Sequence, residues 1–194
     1  MSTLEAVKKL REKTGAGIVE VKKALEEAQG DEEQAIVLLR KRGEAKALKR
    51  TDREAHEGII ATYLHSNAHV GVMLTLLCET DFVARNSDFQ ELGRDLAMHV
   101  AAMNPLYLAP EDVPAEMIAK ERVIWEDQVK NEGKPAEIAE KILSGKEKKF
   151  REEIALLSQP FVKDPSKTVQ GLITESIHRI GEKVQVGKFV RYEI

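Results

Sequence analysis

An acid and an aromatic ring stand side by side at Asp81-Phe82, within the stretch Thr80-Asp81-Phe82-Val83-Ala84-Arg85-Asn86. They end an apolar run, Val70 to Cys78, whose length and β-branched content predict a buried strand. A charge and an apolar wedge presented at one point suit a partner that offers an ion site beside a packed crevice. The plainer alternative is that Asp81 caps a short helical turn and Phe82 fills local core. His65 and His69 flank a predicted turn and could chelate a metal, although two exposed histidines with no further ligand are the plainer reading. His99 lies in Ala97-Met98-His99-Val100-Ala101, an apolar helical stretch where a hydrogen-bonded core histidine is the usual outcome. A hydrolase using Asp81 and His99 would need a third, orienting group, and the sequence offers none.

Other chemistries leave no trace. Neither GxxxxGK[ST] nor a GxGxxG after a strand occurs, and Cys78 is the single cysteine, which excludes an internal disulfide and a cysteine zinc site. No metal or cofactor is expected. A net charge of −3 gives no global electrostatic case for nucleic acid, and no apolar run approaches the ~18 residues of a membrane span. Met1-Ser2-Thr3-Leu4-Glu5 leads directly into an amphipathic pattern without the apolar core of a targeting signal, so the cytoplasm is the expected compartment.

These residues need elements to hold them. At 194 residues, 42% hydrophobic and 32% charged, the chain has room for one ordinary domain and a small one. Ser2 and Glu5 have capping-box spacing and open a helix carrying Leu4, Val7 and Leu10 on one face, which Gly15-Ala16-Gly17 stops. A second helix aligns Ile18, Val21, Leu25 and Ala28; after Gly30-Asp31 a third runs through Ile36 and Leu39 toward Gly43. Val19 falls off the apolar face beside Lys22 and Lys23, as a docking residue would or as an isolated surface valine. The basic run Arg40 to Arg50 lacks interleaved aromatics and reads as a solvated helix end leading into a linker, which places a boundary near residue 50.

The second domain, 51–194, opens with strands Gly58 to His65 and Val70 to Glu79 around the turn Ser66-Asn67-Ala68. Helices are predicted over Asp88 to Met103, from Pro114 to about Glu132, from Pro135 to about Ser158, and over Lys167 to Ile180. Gly133-Lys134 makes the middle two an antiparallel hairpin. Val184 to Ile194 supplies a third strand with Gly187 as a candidate bulge. The fold class is α+β: a three-helix bundle, then a three-stranded antiparallel sheet packed with helices.

TDFVARN, together with TGAGIVEVKKAL at Thr14 to Leu25 and QPFVKDPSKTV at Gln159 to Val169, resembles the translation elongation factor Ts family, the guanine nucleotide exchange factors of elongation factor Tu. The three stretches occur in the family's order and the likeness covers nearly the whole chain. It implies a ubiquitin-associated type of N-terminal bundle and a partner, elongation factor Tu, from which Thr80, Asp81, Phe82 and Val83 would dislocate Mg²⁺. It further implies that Ile18, Val19 and Lys22 dock the bundle on that partner. The family's histidine in the same MHVAA context faces the GTPase, which makes His99 a partner contact. A plain binding module with an RNA-contacting tail stays as the alternative of another class, as does the hydrolase.

The chain departs from the family's long form, in which the sheet-bearing core is duplicated. Val70, Val72, Leu74, Leu76 and Cys78 fall on one face of their strand, and Met73 and Leu77 on the other, more apolar surface than three strands readily cover. A two-fold homodimer would restore two core halves and let Val70-Gly71 stand where the long form's second hairpin presents Ile-Gly. A 2:2 complex would follow, and Cys78 could approach Cys78 of the second copy for a disulfide.

Overall fold

The computed structural model describes residues 4–50, 52–131 and 135–194. Ser2 of the expected capping box and the turn Gly133-Lys134 lie outside them. In chain order the elements are α1 Leu4–Thr14, α2 Ile18–Glu27, α3 Glu32–Leu48, β1 Glu57–Leu64, β2 Val70–Cys78, α4 Asp81–Ala84 and α5 Ser87–Met103. Then come α6 Ala115–Asn131, α7 Ala136–Ile154, β3 Pro160–Phe161, β4 Asp164–Thr168, α8 Val169–Ile180 and β5 Val184–Glu193, with short 3-10 turns at Pro110–Asp112 and Leu156–Ser158. The backbone groups into two units, Met1–Ala97 with Gly171–Ile194, and Met98–Gln170.

In the first unit α1, α2 and α3 close around Val7, Leu10, Val21, Leu25, Ala35 and Leu39. Asp31 opens α3 by accepting from the Gln34 backbone N–H at 3.0 Å. The helix continues past Gly43 to Leu48, so most of the basic run forms its last turns. Two of its cations are committed: Arg42 pairs with Glu27 at 2.6 Å and Lys46 with Glu20. The bundle also touches α8. His178 is buried against Gly43, where an added Cβ would lie 3.6 Å from its side chain, and Arg50 donates to the Ile177 carbonyl at 3.2 Å.

β2 is the central strand, antiparallel to β1 and β5. Its burial alternates as period 2 demands: Val72, Leu74, Leu76 and Cys78 are buried, whereas Met73 is exposed. Helix α5 covers the buried face, with Phe89, Leu92 and Leu96 inside and Gly93 so close to the sheet that an added Cβ would sit 3.0 Å from Ala61. The expected bulge is present. The register between β2 and β5 shifts between Leu74 and Leu76, and a Cβ on Gly187 would meet Thr75 Oγ1 at 2.5 Å. Thr75 Oγ1 there accepts from the Lys188 backbone N–H at 2.7 Å, which returns a partner to the ladder that the bulge interrupts.

In the second unit α6 and α7 share a core of Trp125, Val129 and Leu143, with the Trp125 and Phe150 rings edge to face at 5.6 Å. Arg122 ties the pair together by reaching both Glu126 and Glu140. Helix α7 stops at Ile154, short of the predicted Ser158, because Ala155 turns extended to bridge Tyr107. Helix α8 begins at Val169 rather than Lys167, since Asp164 to Thr168 forms a strand whose turn is set by Asp164 accepting from Ser166. The β3–β4 pair was not expected, and its polar sequence Asp-Pro-Ser-Lys-Thr carries no strand signal.

Candidate functional site

Where β2 ends, the chain turns into the single-turn helix α4. Thr80 is extended (φ −130°, ψ 156°) and caps it, its carbonyl accepting from the Ala84 N–H at 3.2 Å. The Cys78 thiol also donates to that carbonyl, at 3.2 Å. Asp81, which one sequence reading made the cap, instead sits inside the turn and pairs with Arg85 at 3.0 Å. Ala84 is buried and Val83 half-buried, which leaves Phe82 projecting outward, 81% exposed. The turn is anchored on its Ala84 side and offers its ring on the other.

Two carboxylates fasten the strand end beneath this turn. Glu182, in the loop just before β5, accepts from the backbone N–H groups of Glu79 (3.2 Å) and Thr80 (3.0 Å) through Oε2, and from the Thr80 hydroxyl (2.7 Å) through Oε1. Glu79 answers in the opposite direction. Its Oε1 accepts from the Lys183 N–H at 2.6 Å, and its Oε2 pairs with Arg53 at 3.0 Å. Burial works to raise the Glu79 pKa, but the bonds from Lys183 and Arg53 outweigh it and hold the carboxyl below its ordinary value. Sequence reasoning found none of Arg53, Glu79 or Glu182. The one available signal was a Gly-Glu-Lys turn directly before a strand.

On α2, Val19 is 66% exposed and Ile18 about half exposed, with Lys22 on the same surface-facing side. Ile18 therefore leaves the buried face on which periodicity had placed it, because it is the first residue of its helix and its neighbours begin only at Val21. Val70 and Gly71 open β2 and are half-buried opposite Glu193 and Tyr192.

His99 lies inside the fold. Expected at a partner-facing surface, its ring is fully buried, with Nε2 3.0 Å from Gln159 Oε1 and Nδ1 accepting from the Val162 N–H at 3.2 Å. An accepting Nδ1 assigns the proton to Nε2 and the ring to the neutral form, and burial pushes its pKa down. Both nitrogens are occupied, so His99 offers no free lone pair for general-base work. The hydrolase reading loses its base. What His99 does is join two of the motifs, holding MHVAA to the Gln159-Pro160-Phe161-Val162 segment.

Cys78 is enclosed as well. Its side chain is fully buried on the helix-covered face of β2, and burial, with the Glu182 charge adding to it, pushes the thiol up to about 11. A thiol so placed faces the core of its own chain. The opposite face of the sheet is the open one. There Ile60, Met73, Val190 and Tyr192 are all exposed, in the alternating register that puts Met73 beside Val190.

The elongation factor TS family model matches residues 3–194. Elongation factor Ts of Thermosipho melanesiensis is 53% identical over 194 residues, covering 100% of this chain and 99% of that protein. Its counterpart in Thermodesulfovibrio yellowstonii is 52% identical over 99% of this chain and 96% of its own length, and that of Moorella thermoacetica 53% over 97% and 93%. This chain belongs to the elongation factor Ts family. It is accordingly a translation elongation factor, acting in protein biosynthesis. Among the described residues no group of three or more His, Cys, Asp or Glu is arranged to hold an ion. No described helix is long and apolar enough to cross a membrane.

Proposed function

We propose that the protein is the guanine nucleotide exchange factor of elongation factor Tu, in the cytoplasm, and that it makes and breaks no covalent bond. The observation that carries this reading is the outward Phe82 ring on a turn whose stem is fastened by Glu79 and Glu182. An exchange factor binds the nucleotide-free GTPase more tightly than the loaded one, and by linkage the nucleotide binds the complex more weakly by the same factor. Each tenfold of weakening needs about 1.4 kcal/mol of differential contact. In P-loop GTPases Mg²⁺ bridges the phosphates to the protein, which makes it the point of attack. Phe82 wedges between elements of the GTPase and displaces the groups that position the ion, Asp81 offers a competing acceptor, and Thr80 and Val83 hold the turn in shape.

Ile18, Val19 and Lys22 dock the bundle on the same partner, and Val70-Gly71 presents a second contact. His99 acts from inside, by holding Val162, whose side chain is exposed. The open sheet face around Ile60 and Met73 pairs with its copy in a two-fold homodimer, giving a 2:2 complex. The decisive experiment is stopped-flow release of fluorescent GDP from elongation factor Tu with the protein at substoichiometric amounts. Multiple turnovers of release are expected; tight binding with no acceleration would make it a plain binding module.

A further inference from the structure

The turn carrying Asp81 and Phe82 is one helical turn long, too short to hold its own shape in water. Something outside it must set its direction. Its N-terminal stem consists of Glu79 and Thr80, and both of their backbone N–H groups, together with the Thr80 hydroxyl, converge on the Glu182 carboxylate. Three donors on one ionised acceptor are stronger than neutral hydrogen bonds and fix two successive peptide planes. Thr80 is thereby held as the extended residue from which α4 starts, its hydroxyl oxygen lying 3.5 Å from the Val83 N–H. The loop that bears Glu182 is held in return: Glu79 takes the Lys183 N–H, and the Lys183 ammonium donates to the Arg53 carbonyl at 2.8 Å. A hairpin end at residues 79–80 and the entry to β5 at 182–183 thus clasp each other by reciprocal carboxylate-to-backbone bonds.

We propose that Glu182 is the positioning residue of nucleotide exchange: it aims the Asp81-Phe82 turn without touching the partner. This rests on the proposed role of Phe82 in displacing Mg²⁺. A side chain that only stabilised the fold would, when weakened, lower the melting temperature and act independently of Phe82. A positioning residue lowers the maximal rate of GDP release, leaves the docking surfaces on α2 intact, and loses its effect once the ring it aims is gone.

The test measures GDP release from elongation factor Tu at increasing concentrations of wild type, Glu182→Gln, Phe82→Ala and the double variant, with the melting temperature of each. Gln keeps the length of the side chain but removes the charge and turns an N–H₂ group toward one of the donors. Glu182→Gln is expected to lower the maximal rate about 10- to 30-fold, the loss typical of charge-assisted bonds, with the half-saturating concentration changed less than about threefold. In the Phe82→Ala background the same substitution is expected to cost less than about threefold. Should Glu182→Gln fold poorly, Thr80→Val removes one arm of the clasp at nearly constant volume and is expected to show the same split, with Thr80→Ser restoring the rate. A wild-type maximal rate for Glu182→Gln beside an impaired Phe82→Ala overturns the positioning role and leaves the exchange reading standing. Full multiplicative losses in the double variant also overturn it. A wild-type rate for Phe82→Ala overturns both.

Discussion

Replacing Phe82 with alanine tests the proposed wedge without disturbing the core. Because the ring is 81% exposed, it contributes little to the core, and the substitution should alter stability by about 0.5 kcal/mol or less. A phenylalanine can bury about 150–250 Å², so the exposed four-fifths offers about 120–200 Å² to a partner. At about 25 cal/mol/Å² that area is worth about 3–5 kcal/mol. Alanine keeps a share and the partner relaxes around the gap, which leaves about 2–3 kcal/mol, the usual cost at a buried aromatic anchor. Divided by 1.36 kcal/mol per decade this becomes a loss of about 30- to 150-fold in the rate of GDP release. Stopped-flow release and a melting curve on the same preparation measure both halves. Asp81→Asn, which keeps the shape but removes the charge and the exposed pair with Arg85, should cost less. A wild-type rate for Phe82→Ala, or an unfolded protein, would refute the wedge.

Val19→Ser combined with Lys22→Ala should raise the half-saturating concentration several-fold without moving the melting temperature, since Val19 is exposed; unchanged saturation would remove the bundle from the interface. Cys78 should resist alkylation by iodoacetamide in the native protein and react on unfolding, as a buried thiol with a pKa of about 11 must, and rapid native labelling by mass spectrometry would contradict its placement. Met73→Glu should convert a dimer to monomers in sedimentation equilibrium, while reductant and Cys78→Ser should leave the assembly as it is; a wild-type monomer at micromolar concentration sinks the dimer. His99 and His178 are held below the ordinary histidine value by burial, against the bond to Gln159 in one case and Glu20 in the other, with Lys46 and Arg50 also lowering His178. The unfolded chain therefore takes up protons first, so their contribution is complete above about pH 6.5 and is lost as pH falls from there toward the folded values. Melting temperatures should drop between about pH 7 and pH 5.5, and a flat profile would contradict both buried neutral rings.

The elements that the sequence made legible are those whose signal is local. Period-2 alternation placed Leu74, Leu76 and Cys78 together on one face of β2, and a glycine amid strand residues marked the bulge at Gly187. Asp31 announced the start of α3 by its capping chemistry. Where tertiary contacts decide, local reading fell short. Ala155 looks helical and is drawn into a bridge with Tyr107, and the polar β3–β4 pair exists because Pro160 and Thr168 face each other across a turn that Asp164 sets. For His99 the residue-level reading of a hydrogen-bonded core histidine matches the structure. Alternation grouped Cys78 with Leu74 and Leu76; which face lies open could be seen only once α5 was in place.

The candidate site shows why such limits are physical rather than accidental. Thr80 to Val83 are adjacent in the chain and were found together, but the groups that fix them come from far away: Glu182 reaches Thr80 across 102 positions and Arg53 reaches Glu79 across 26. A short turn that must present an apolar ring to water cannot be stabilised by burying that ring, so its shape has to come from its stem. Backbone N–H groups at a strand end are unpaired by the ladder, and an ionised carboxylate is the acceptor that satisfies two of them and a hydroxyl at once. Sequence shows the ring; only the closure of β2 against β5 brings the carboxylate beneath it. Where an apolar ring stays exposed, as Phe82 does, the residues that set its geometry are therefore the ones a linear reading is least able to find.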